Sequence, residues 1–354
     1  MRIIRSTKCS LKFVTKSKRN KLDLIMREYS RTVNLYINKF WKDDVRKMDL
    51  RKDRLNSVKS WFTQNIKQDA SIEAINIIGL MKHHVGKKPR HKVGSMCLTS
   101  NTIKCQDSGT EEFDLWLHLR GIGNKIIFDV PIKKHRHFNK LELIGKRLNS
   151  YVITKDYVTF SFEIETGPKK DVKEIVGMDT GIDTLATLSN GKQFGGNIKE
   201  SIKRINRCKH GSNGQKRATS ALRNKMSYIA KQIIGSGMDM IVIESLKNIT
   251  QKTKMKGKIV KNTRKLIGRW NVRYFQDRIR QLSELNRISF RTVYPAYTSQ
   301  TCSSCGSTDR KNRNKEVFKC KSCGYEANAD INAAVNIRSR FLLGKYGSQY
   351  KHIN

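Results

Sequence analysis

The chain has 354 residues, 37% of them hydrophobic, and 72 Lys and Arg residues against 30 Asp and Glu give a net charge of +42. This length predicts two or three domains, and the apolar fraction is enough for a core in each, which excludes wholesale disorder. No apolar run approaches the roughly 18 residues of a membrane helix, and charges interrupt the N-terminal region. We therefore expect neither a membrane span nor a secretory signal, but a soluble intracellular protein.

The positive charge predicts a large polyanionic partner. A basic surface kept for solubility explains an excess of about 10 at most. An anionic membrane surface needs only a local basic patch or one amphipathic helix, whereas here the excess runs through the whole chain. We therefore expect nucleic acid as the partner.

The first half is predicted to be β, then helical, then β. Residues 1–16 are expected to form a strand, and helix is expected from Ser17 to about His84. Short β-rich runs occupy residues 96–166, most clearly residues 157–166, where Val158, Phe160, Phe162 and Ile164 alternate with polar residues. A helical insertion in a β-barrel would have this order, with residues 1–16 completing the barrel. The apolar face of the first helix consists of Leu22, Ile25, Tyr29, Val33, Tyr36 and Phe40.

A second domain is predicted to begin at residues 166–171, where a Gly-Pro pair and several charges indicate a boundary. Apolar periodicity predicts two helices with buried faces, and an Ala-rich helix is predicted from Ile331. The expected strands are residues 175–178, 185–188, 193–194, 240–243 and 290–294. The buried helix faces are Leu222, Met226, Ile229 and Ile233 in one helix, and Val272, Phe275, Ile279 and Leu282 in the other.

Charge is most one-sided in the middle of this second domain. Residues 197–291 contain 24 Lys and Arg against 5 acidic residues, and residues 245–276 contain no acid. A nearly alternating run of lysines is typical of a mobile solvated loop, and equally of an ordered lid that tracks phosphates. A disordered basic loop can fold onto a polyanion, so the two interpretations are compatible and both remain open. The run consists of Lys252, Lys254, Lys256, Lys258 and Lys261.

Three carboxylates stand out in this basic domain. Asp179 ends the first predicted strand, Glu244 follows the strand at residues 240–243, and Asp330 lies where the cysteine-rich segment leads into the last helix. Carboxylates at the ends of central strands and at a helix start can converge on one point and hold two divalent cations. Metal-assisted phosphodiester cleavage uses two ions about 3.5–4 Å apart, one activating water and one stabilising the leaving oxygen.

Each carboxylate also has a structural interpretation. Asp330 can be the N-cap of the last helix, which is a usual role of Asp at such a position. Asp179 can be a turn residue ahead of Gly181, and Asp183 is a competing candidate ligand. The placement of the three acids at element ends in so basic a region favours a metal site.

Four of the eight cysteines have the spacing of a zinc site. Cys302, Cys305, Cys320 and Cys323 form C-x2-C, fourteen residues, then C-x2-C, and each pair is followed by Gly. In an intracellular basic protein this spacing predicts one tetrahedral Zn²⁺ in preference to disulfides, with two tight turns related by pseudo-symmetry. We expect this zinc to be structural. The scattered cysteines, which are predicted to be reduced thiols, are Cys9, Cys97, Cys105 and Cys208.

Four segments in order carry a resemblance to a known family: G-M-D-T-G-I, V-I-E-S-L-K-N-I, Y-T-S-Q-T-C-S-S-C-G and F-K-C-K-S-C-G-Y-E-A-N-A-D-I-N-A-A-V-N-I. They resemble the three acidic motifs and the zinc ribbon of the TnpB family. These proteins are transposon-encoded RNA-guided DNA nucleases related to the miniature type V CRISPR effectors. The resemblance covers residues 171–340, and over the first half it rests only on the order of strand, helices and strands.

The resemblance implies a multidomain α+β and α/β fold with a RuvC-type, RNase H-like nuclease domain. It assigns Asp179, Glu244 and Asp330 to two catalytic magnesium ions and the four cysteines to zinc. All three acids are present, which weighs against the nuclease-dead relatives. Arg310 or Arg313 is a further candidate contact to the scissile phosphate. The implied domains are a wedge-type β-barrel (1–16 and 86–168), a helical recognition insertion (17–85), the nuclease domain (169–297 and 328–354) and the zinc ribbon (298–327).

The function that the resemblance implies is RNA-guided cleavage of double-stranded DNA. The guide RNA, from a transposon end or a CRISPR locus, would pair with the target and form part of the scaffold. We expect a cytoplasmic, nucleoid-associated protein of a prokaryote, a phage or a mobile element, and no membrane partner. The alternatives are a compact CRISPR effector, an RNA-guided DNA-binding protein without cleavage, and a guide-free junction-resolving nuclease.

Overall fold

A computed structural model describes residues 1–43, 45–81, 88–123, 126–246 and 261–344. The lysine run from Lys252 to Lys258 lies outside these ranges, so neither interpretation of it is tested. The chain folds into two units, Met1–Glu165 and Thr166–Asn354. Among the described residues, no helix has the length and apolar character needed to cross a membrane.

The first unit combines two antiparallel sheets with helices. One sheet has the strand order β1-β7-β6-β2 and the other β3-β4-β5. The described elements, in chain order, are β1 (Arg2–Ser10), α1 (Lys16–Phe40), α2 (Lys52–Asn56), α3 (Gln64–Met81), β2 (Ser95–Thr99), β3 (Ile103–Asp107), β4 (Leu115–Leu119), β5 (Phe128–Ile132), α4 (Arg136–Ile144), β6 (Lys146–Thr154) and β7 (Tyr157–Glu165).

The core of this unit follows the sequence periodicity. All six residues of the predicted face of α1 are buried, and the side chain of Thr15 caps the helix by accepting a hydrogen bond from the amide of Lys18. The inward residues of β7 are buried in strict alternation, as predicted. The two sheets meet where Cys105 of β3 lies close to Cys9 of β1 and hydrogen-bonds Tyr151 of β6.

The helical stretch predicted from Ser17 to about His84 consists of separate helices, and a 3-10 turn (Lys47–Asp49) and the short α2 lie between α1 and α3. One prediction for this unit is wrong in detail. The stretch predicted to contain only strands also contains α4. That helix buries only Phe138 and Leu141 and is capped by His135, whose ring nitrogen accepts from two amides, so it has little apolar periodicity and no usual N-cap residue.

The second unit has a five-stranded sheet with the order β10-β9-β8-β11-β12. Strand β9 is antiparallel to both β8 and β10, whereas β8, β11 and β12 are parallel. The described elements are β8 (Ile175–Asp179), β9 (Thr184–Leu188), β10 (Gln193–Gly196), α5 (Ile198–Arg207), α6 (Asn213–Ile234), β11 (Met240–Glu244), α7 (Lys261–Arg269), α8 (Val272–Leu285), β12 (Ser289–Val293), β13 (Arg313–Asn314), β14 (Val317–Lys319), β15 (Glu326–Asn328) and α9 (Ala329–Leu342).

Helices cover both faces of this sheet. The predicted apolar faces of α6 and α8 are buried in a core with Val176, Met178 and Ile241. On the other face, α9 packs against β8. The backbones meet at Gly177, where an added Cβ would lie 2.2 Å from the carbonyl oxygen of Ala334. Only a residue without a side chain allows α9 to approach β8 this closely.

Candidate metal centres

Two of the three predicted acids lie at one edge of the central sheet. Asp179 is the last residue of β8, and Glu244 is the last residue of the neighbouring parallel strand β11. The register pairs Met178 with Ile243, so Asp179 and Glu244 occupy adjacent positions. Because neighbouring parallel strands end at the same edge of the sheet, the pairing of β8 with β11 places these two carboxylates together.

Asp330 comes to the same edge on α9. It is the second residue of this helix, one turn before Ala334, whose carbonyl faces Gly177 in β8. The close packing of α9 on β8 therefore sets the position of Asp330 relative to Asp179. All three acids are partly buried rather than exposed.

The acids interact electrostatically. Burial raises the pKa of Asp179 from its usual 3.8 to about 7, with further contributions from the charges of Glu244 and Asp330 and an opposing one from Arg313. Burial also raises the pKa of Glu244, against a hydrogen bond from Thr298 and the charges of Arg340 and Arg313. Without a cation, the site therefore holds its negative charges at a cost in free energy.

Neighbouring side chains orient Glu244. The hydroxyl of Thr298 donates a hydrogen bond to its carboxylate, and Gln276 of α8 donates to its main-chain carbonyl at 3.0 Å. Arg340 of α9 donates to the carbonyl of Tyr294 at 2.7 Å, which keeps its guanidinium near the same carboxylate. None of these contacts was predicted, since their partners are distant in sequence and the residue types have many other uses.

Two asparagines of α9 fix the segment that contains Thr298. Asn336 donates to the carbonyls of Thr298 and Thr301 at 2.9 and 2.6 Å. Asn332 donates to Thr301 at 2.8 Å and accepts from the amide of Ser303 at 3.0 Å. Their spacing of four residues places both on one face of the helix, and this is the signal in the sequence that could have identified them.

Arg313, a candidate phosphate contact from the sequence, lies at the acids. Its guanidinium donates to the carboxylate of Asp330 at 2.7 Å, from strand β13. Arg310, the other candidate, is exposed in the 3-10 turn Arg310–Asn312. The structure therefore distinguishes two residues that the sequence could not.

The alternative interpretations of the acids are not supported by the geometry. The N-cap of α9 is Asn328, whose side chain accepts from the amides of Asp330 and Ile331, so Asp330 is not the cap. Asp183 is exposed and forms an ion pair with Lys199 at 3.0 Å. It therefore has a surface partner, unlike Asp179 and Glu244, which are partly buried.

The four cysteines form one compact cluster, with their sulfurs all within 4.8 Å of one another. The Sγ atoms of Cys302 and Cys323 are 3.8 Å apart, and those of Cys305 and Cys320 are 3.6 Å apart. A tetrahedron with metal–sulfur bonds of about 2.3 Å has edges of about 3.8 Å. All four thiols are free, so the cluster fits a metal such as zinc and excludes disulfides in the structure.

The backbone around the cysteines has the predicted pseudo-symmetry. The amide of Gly306 donates to the main-chain carbonyl of Cys302 at 2.9 Å, and the amide of Gly324 donates to the main-chain carbonyl of Cys320 at 3.1 Å. Both glycines have positive φ, 75° and 74°, which a side chain would make unfavourable. Phe318 is fully buried beneath the cluster and packs with Cys302 and Cys320.

The acids suit a different kind of ion. Carboxylate oxygens are the ligands that magnesium prefers. Within the described residues, the four sulfurs form a tight cluster of possible ligands, whereas the three carboxylates are not gathered as closely. Two ions about 4 Å apart, each with oxygen ligands at about 2.1 Å, do not require every ligand pair to be that close. The donor set and its mutual repulsion therefore fit divalent cations.

The fold and these sites define a two-unit α+β protein with a zinc-ribbon-like cysteine cluster next to a set of buried acids. Residues 273–337 match the family described as Cas12f1-like, TNB domain. The chain is 36% identical to the TnpB-like protein aq_aa05 of Aquifex aeolicus (strain VF5) over 121 residues, which is 33% of this chain and 38% of that protein. The resemblance to the TnpB family is thereby confirmed.

A longer alignment relates the chain to a CRISPR-associated protein. It is 27% identical over 281 residues to the CRISPR-associated endodeoxyribonuclease Cas12f1 of Sulfoacidibacillus thermotolerans, covering 69% of this chain and 63% of that protein. The chain thus spans less than two thirds of the length of these two relatives.

A solved structure shows the same fold. The protein in the cryo-EM structure of a Cas12f1–sgRNA–target DNA complex superposes with a TM-score of 0.60 at 13% identity, covering 92% of this chain and 83% of the other. At this identity the superposition establishes a shared fold across both units and nothing about the site.

Proposed function

We propose that this protein is an RNA-guided, magnesium-dependent DNA endonuclease. The observation that carries the proposal is the convergence of Asp179, Glu244 and Asp330, from two strand ends and a helix start, in a chain of net charge +42. Similarity to an endodeoxyribonuclease and to a TnpB-like protein supports it.

The architecture supports an RNase H-like, RuvC-type assignment of the second unit. Numbered within this unit, its strands have the order 3-2-1-4-5, with the second strand antiparallel to its neighbours. The two facing sheets of the first unit are proposed to be the walls of the wedge-type barrel, with α1 to α3 as the recognition insertion.

The side chains of the site have separable tasks in this proposal. Asp179, Glu244 and Asp330 supply oxygen ligands, and Thr298 keeps Glu244 oriented towards the site. Two magnesium ions, when bound, would activate the attacking water and stabilise the leaving oxygen. Arg313 pairs with Asp330 and provides a cation next to the position of the scissile phosphate.

The cysteine cluster is proposed to bind one structural Zn²⁺. The second cysteine pair lies on the turn between β14 and β15, and β15 leads directly into α9 with Asp330. A zinc-stabilised ribbon therefore fixes the start of α9 and, through β13, the position of Arg313. The metal has no part in the chemical step.

The proposed partners are a guide RNA and a double-stranded DNA target. Base pairing with the guide would select the sequence, while the protein would hold the heteroduplex by its phosphates. The Cas12f1 of the solved structure with the same fold is in a complex with sgRNA and target DNA, which supports this partner class. The charge of this chain supports nucleic acid as its partner, and we propose that it acts in the cytoplasm of a prokaryotic cell.

Alanine substitution of each acid tests the proposal. Asp179→Ala, Glu244→Ala and Asp330→Ala should abolish cleavage of a guide-matched target while leaving guide-directed binding largely intact, because the basic surface holds the duplex. Asp183→Ala is the matched control, because Asp183 is exposed and paired with Lys199, and it should retain cleavage. Full cleavage by the Asp179→Ala protein would remove this residue from the site.

A further inference from the structure

An open cleft of about 850 Å³ lies beside the proposed cleavage site. One wall consists of the turn at residues 181–183 together with Lys199 of α5, and the other wall is the ribbon hairpin at residues 313–317. Asp330 lines the cleft between them. Binding sites of this size, about 300–1,000 Å³, take small ligands. The cleft therefore has room for a few nucleotides of a single strand.

Lys199 is the cation of the first wall. Its ammonium lies 3.0 Å from Asp183, and the two side chains are 44% and 63% exposed. An exposed ion pair of this kind contributes only about 0–1 kcal/mol, so Lys199 can leave Asp183 for a phosphate at little cost. Its flexible four-carbon stem allows that movement without a change in the backbone.

Lys315 is the cation of the opposite wall. It forms the turn between β13 and β14, with φ of 54°, and its side chain is exposed. The guanidinium of Arg313 donates to the carbonyl of Lys315 at 3.2 Å and to the carboxylate of Asp330 at 2.7 Å. The turn that carries Lys315 is thereby tied to the acid at which the scissile phosphate would lie.

We propose that Lys199 and Lys315 are positioning residues that bind backbone phosphates of the strand in the cleft, close to the scissile phosphate. This inference rests on the proposed nuclease function. A strand that lies in the cleft has Lys199 on one wall and Lys315 on the other, and Asp330 also lines the cleft. Asp183 is the resting partner of Lys199 and contributes no contact of its own to the strand.

The chain provides a matched control for each lysine. Lys203, one turn along α5, pairs with Glu200 at 2.6 Å and is 46% exposed, close to the value for Lys199. Lys319, on the same hairpin as Lys315, pairs with Glu326. Neither control lines the cleft. Their loss removes the same charge from the same element without removing a contact to the strand.

Steady-state cleavage of a single-stranded, guide-matched DNA by the RNA complex is the first test. Lys199→Gln and Lys315→Gln should each raise KM about tenfold and leave kcat within about twofold, since a charged hydrogen bond to substrate is lost while the acids are intact. Each should also reduce the slope of log(1/KM) against log salt by about 0.7. Lys199→Arg should restore KM. Equal KM values for Lys199→Gln and Lys203→Gln would overturn the proposal.

Protection of lysines from reductive methylation is the second test, and it does not depend on cleavage. Binding of a short single-stranded DNA in calcium buffer should slow modification of Lys199 and Lys315 relative to Lys203 and Lys319, measured by mass spectrometry. Equal protection of all four would overturn the proposal. If the wild-type complex cut no DNA, the proposed function would fail, while the protection pattern would still report on the two phosphate contacts.

Discussion

Asp179→Asn is expected to stabilise the magnesium-free protein while abolishing cleavage. Asn has the shape of Asp without the charge that the site holds against burial and two neighbouring acids. A folded pKa of about 7 against an unfolded value of 3.8 corresponds to on the order of 4 kcal/mol at pH values above both. This is an upper value for the gain, because the neutral amide oxygen of Asn accepts the hydrogen bond from the backbone N–H of Thr180 more weakly than a carboxylate does.

The dependence on pH follows from the sign of that difference. Between pH 4 and 7 the folded state holds a proton on Asp179 that the unfolded state has released, so wild-type stability falls as pH rises through this range. The advantage of the Asn variant should therefore be complete above about pH 8 and absent below about pH 4. Magnesium should stabilise wild type above pH 7 and have less effect on the variant.

Urea unfolding of the full chain measures this difference. The measurement is made at high salt, which limits the self-repulsion of the chain and screens surface charges more than buried ones. Trp270, the tryptophan of the second unit, reports on the unfolding of that unit. Asp183→Asn is the control, because its exposed carboxylate already has Lys199 as a partner, and no stabilisation is expected. An Asp179→Asn protein no more stable than wild type at pH 8, or equally stabilised at pH 4.5, would refute the electrostatic coupling of the three acids.

Three further predictions concern packing, zinc and RNA. Gly177→Ala should destabilise the second unit by about 1–3 kcal/mol and impair cleavage, because the new side chain displaces α9. Gly196→Ala is the control and should do neither, because no atom lies within 4 Å of the added Cβ. Unfolding and cleavage assays of both variants check this. Metal analysis should find one tight zinc per chain, and Cys302→Ser should unfold the ribbon and cripple cleavage; a zinc-free protein of normal activity would contradict this. The RNA-free protein should aggregate or bind nonspecifically, and the RNA complex should not. Its affinity for duplex should fall by about 0.9 log units per log unit of salt for each neutralised phosphate. A well-behaved RNA-free protein would count against RNA as a subunit.

The long elements of the fold could be predicted because each buries a regular apolar face. The six-residue face of α1 and the alternation in β7 contain enough apolar residues to outweigh local exceptions. Helix α4 was missed because only two of its nine residues are buried.

The candidate site was predictable as far as chain geometry determines it. Strand ends of parallel neighbours meet at one edge, which places Asp179 beside Glu244. The close approach of α9 depends on Gly177, and the cap of this helix is Asn328 rather than Asp330. Contacts such as Thr298 to Glu244 join residues 54 positions apart, and no local pattern encodes them.

The central claim, that a guide RNA directs cleavage, is tested most directly by changing the guide. The purified protein is loaded with two RNAs that share a scaffold and differ in the guide segment, and each complex is given both matching DNA targets with magnesium. We predict that each complex cuts only the DNA that matches its guide and that RNA-free protein cuts neither. Cleavage of one defined double-stranded site at the same rate with either guide, or without RNA, would contradict the account and favour a guide-free junction-type nuclease.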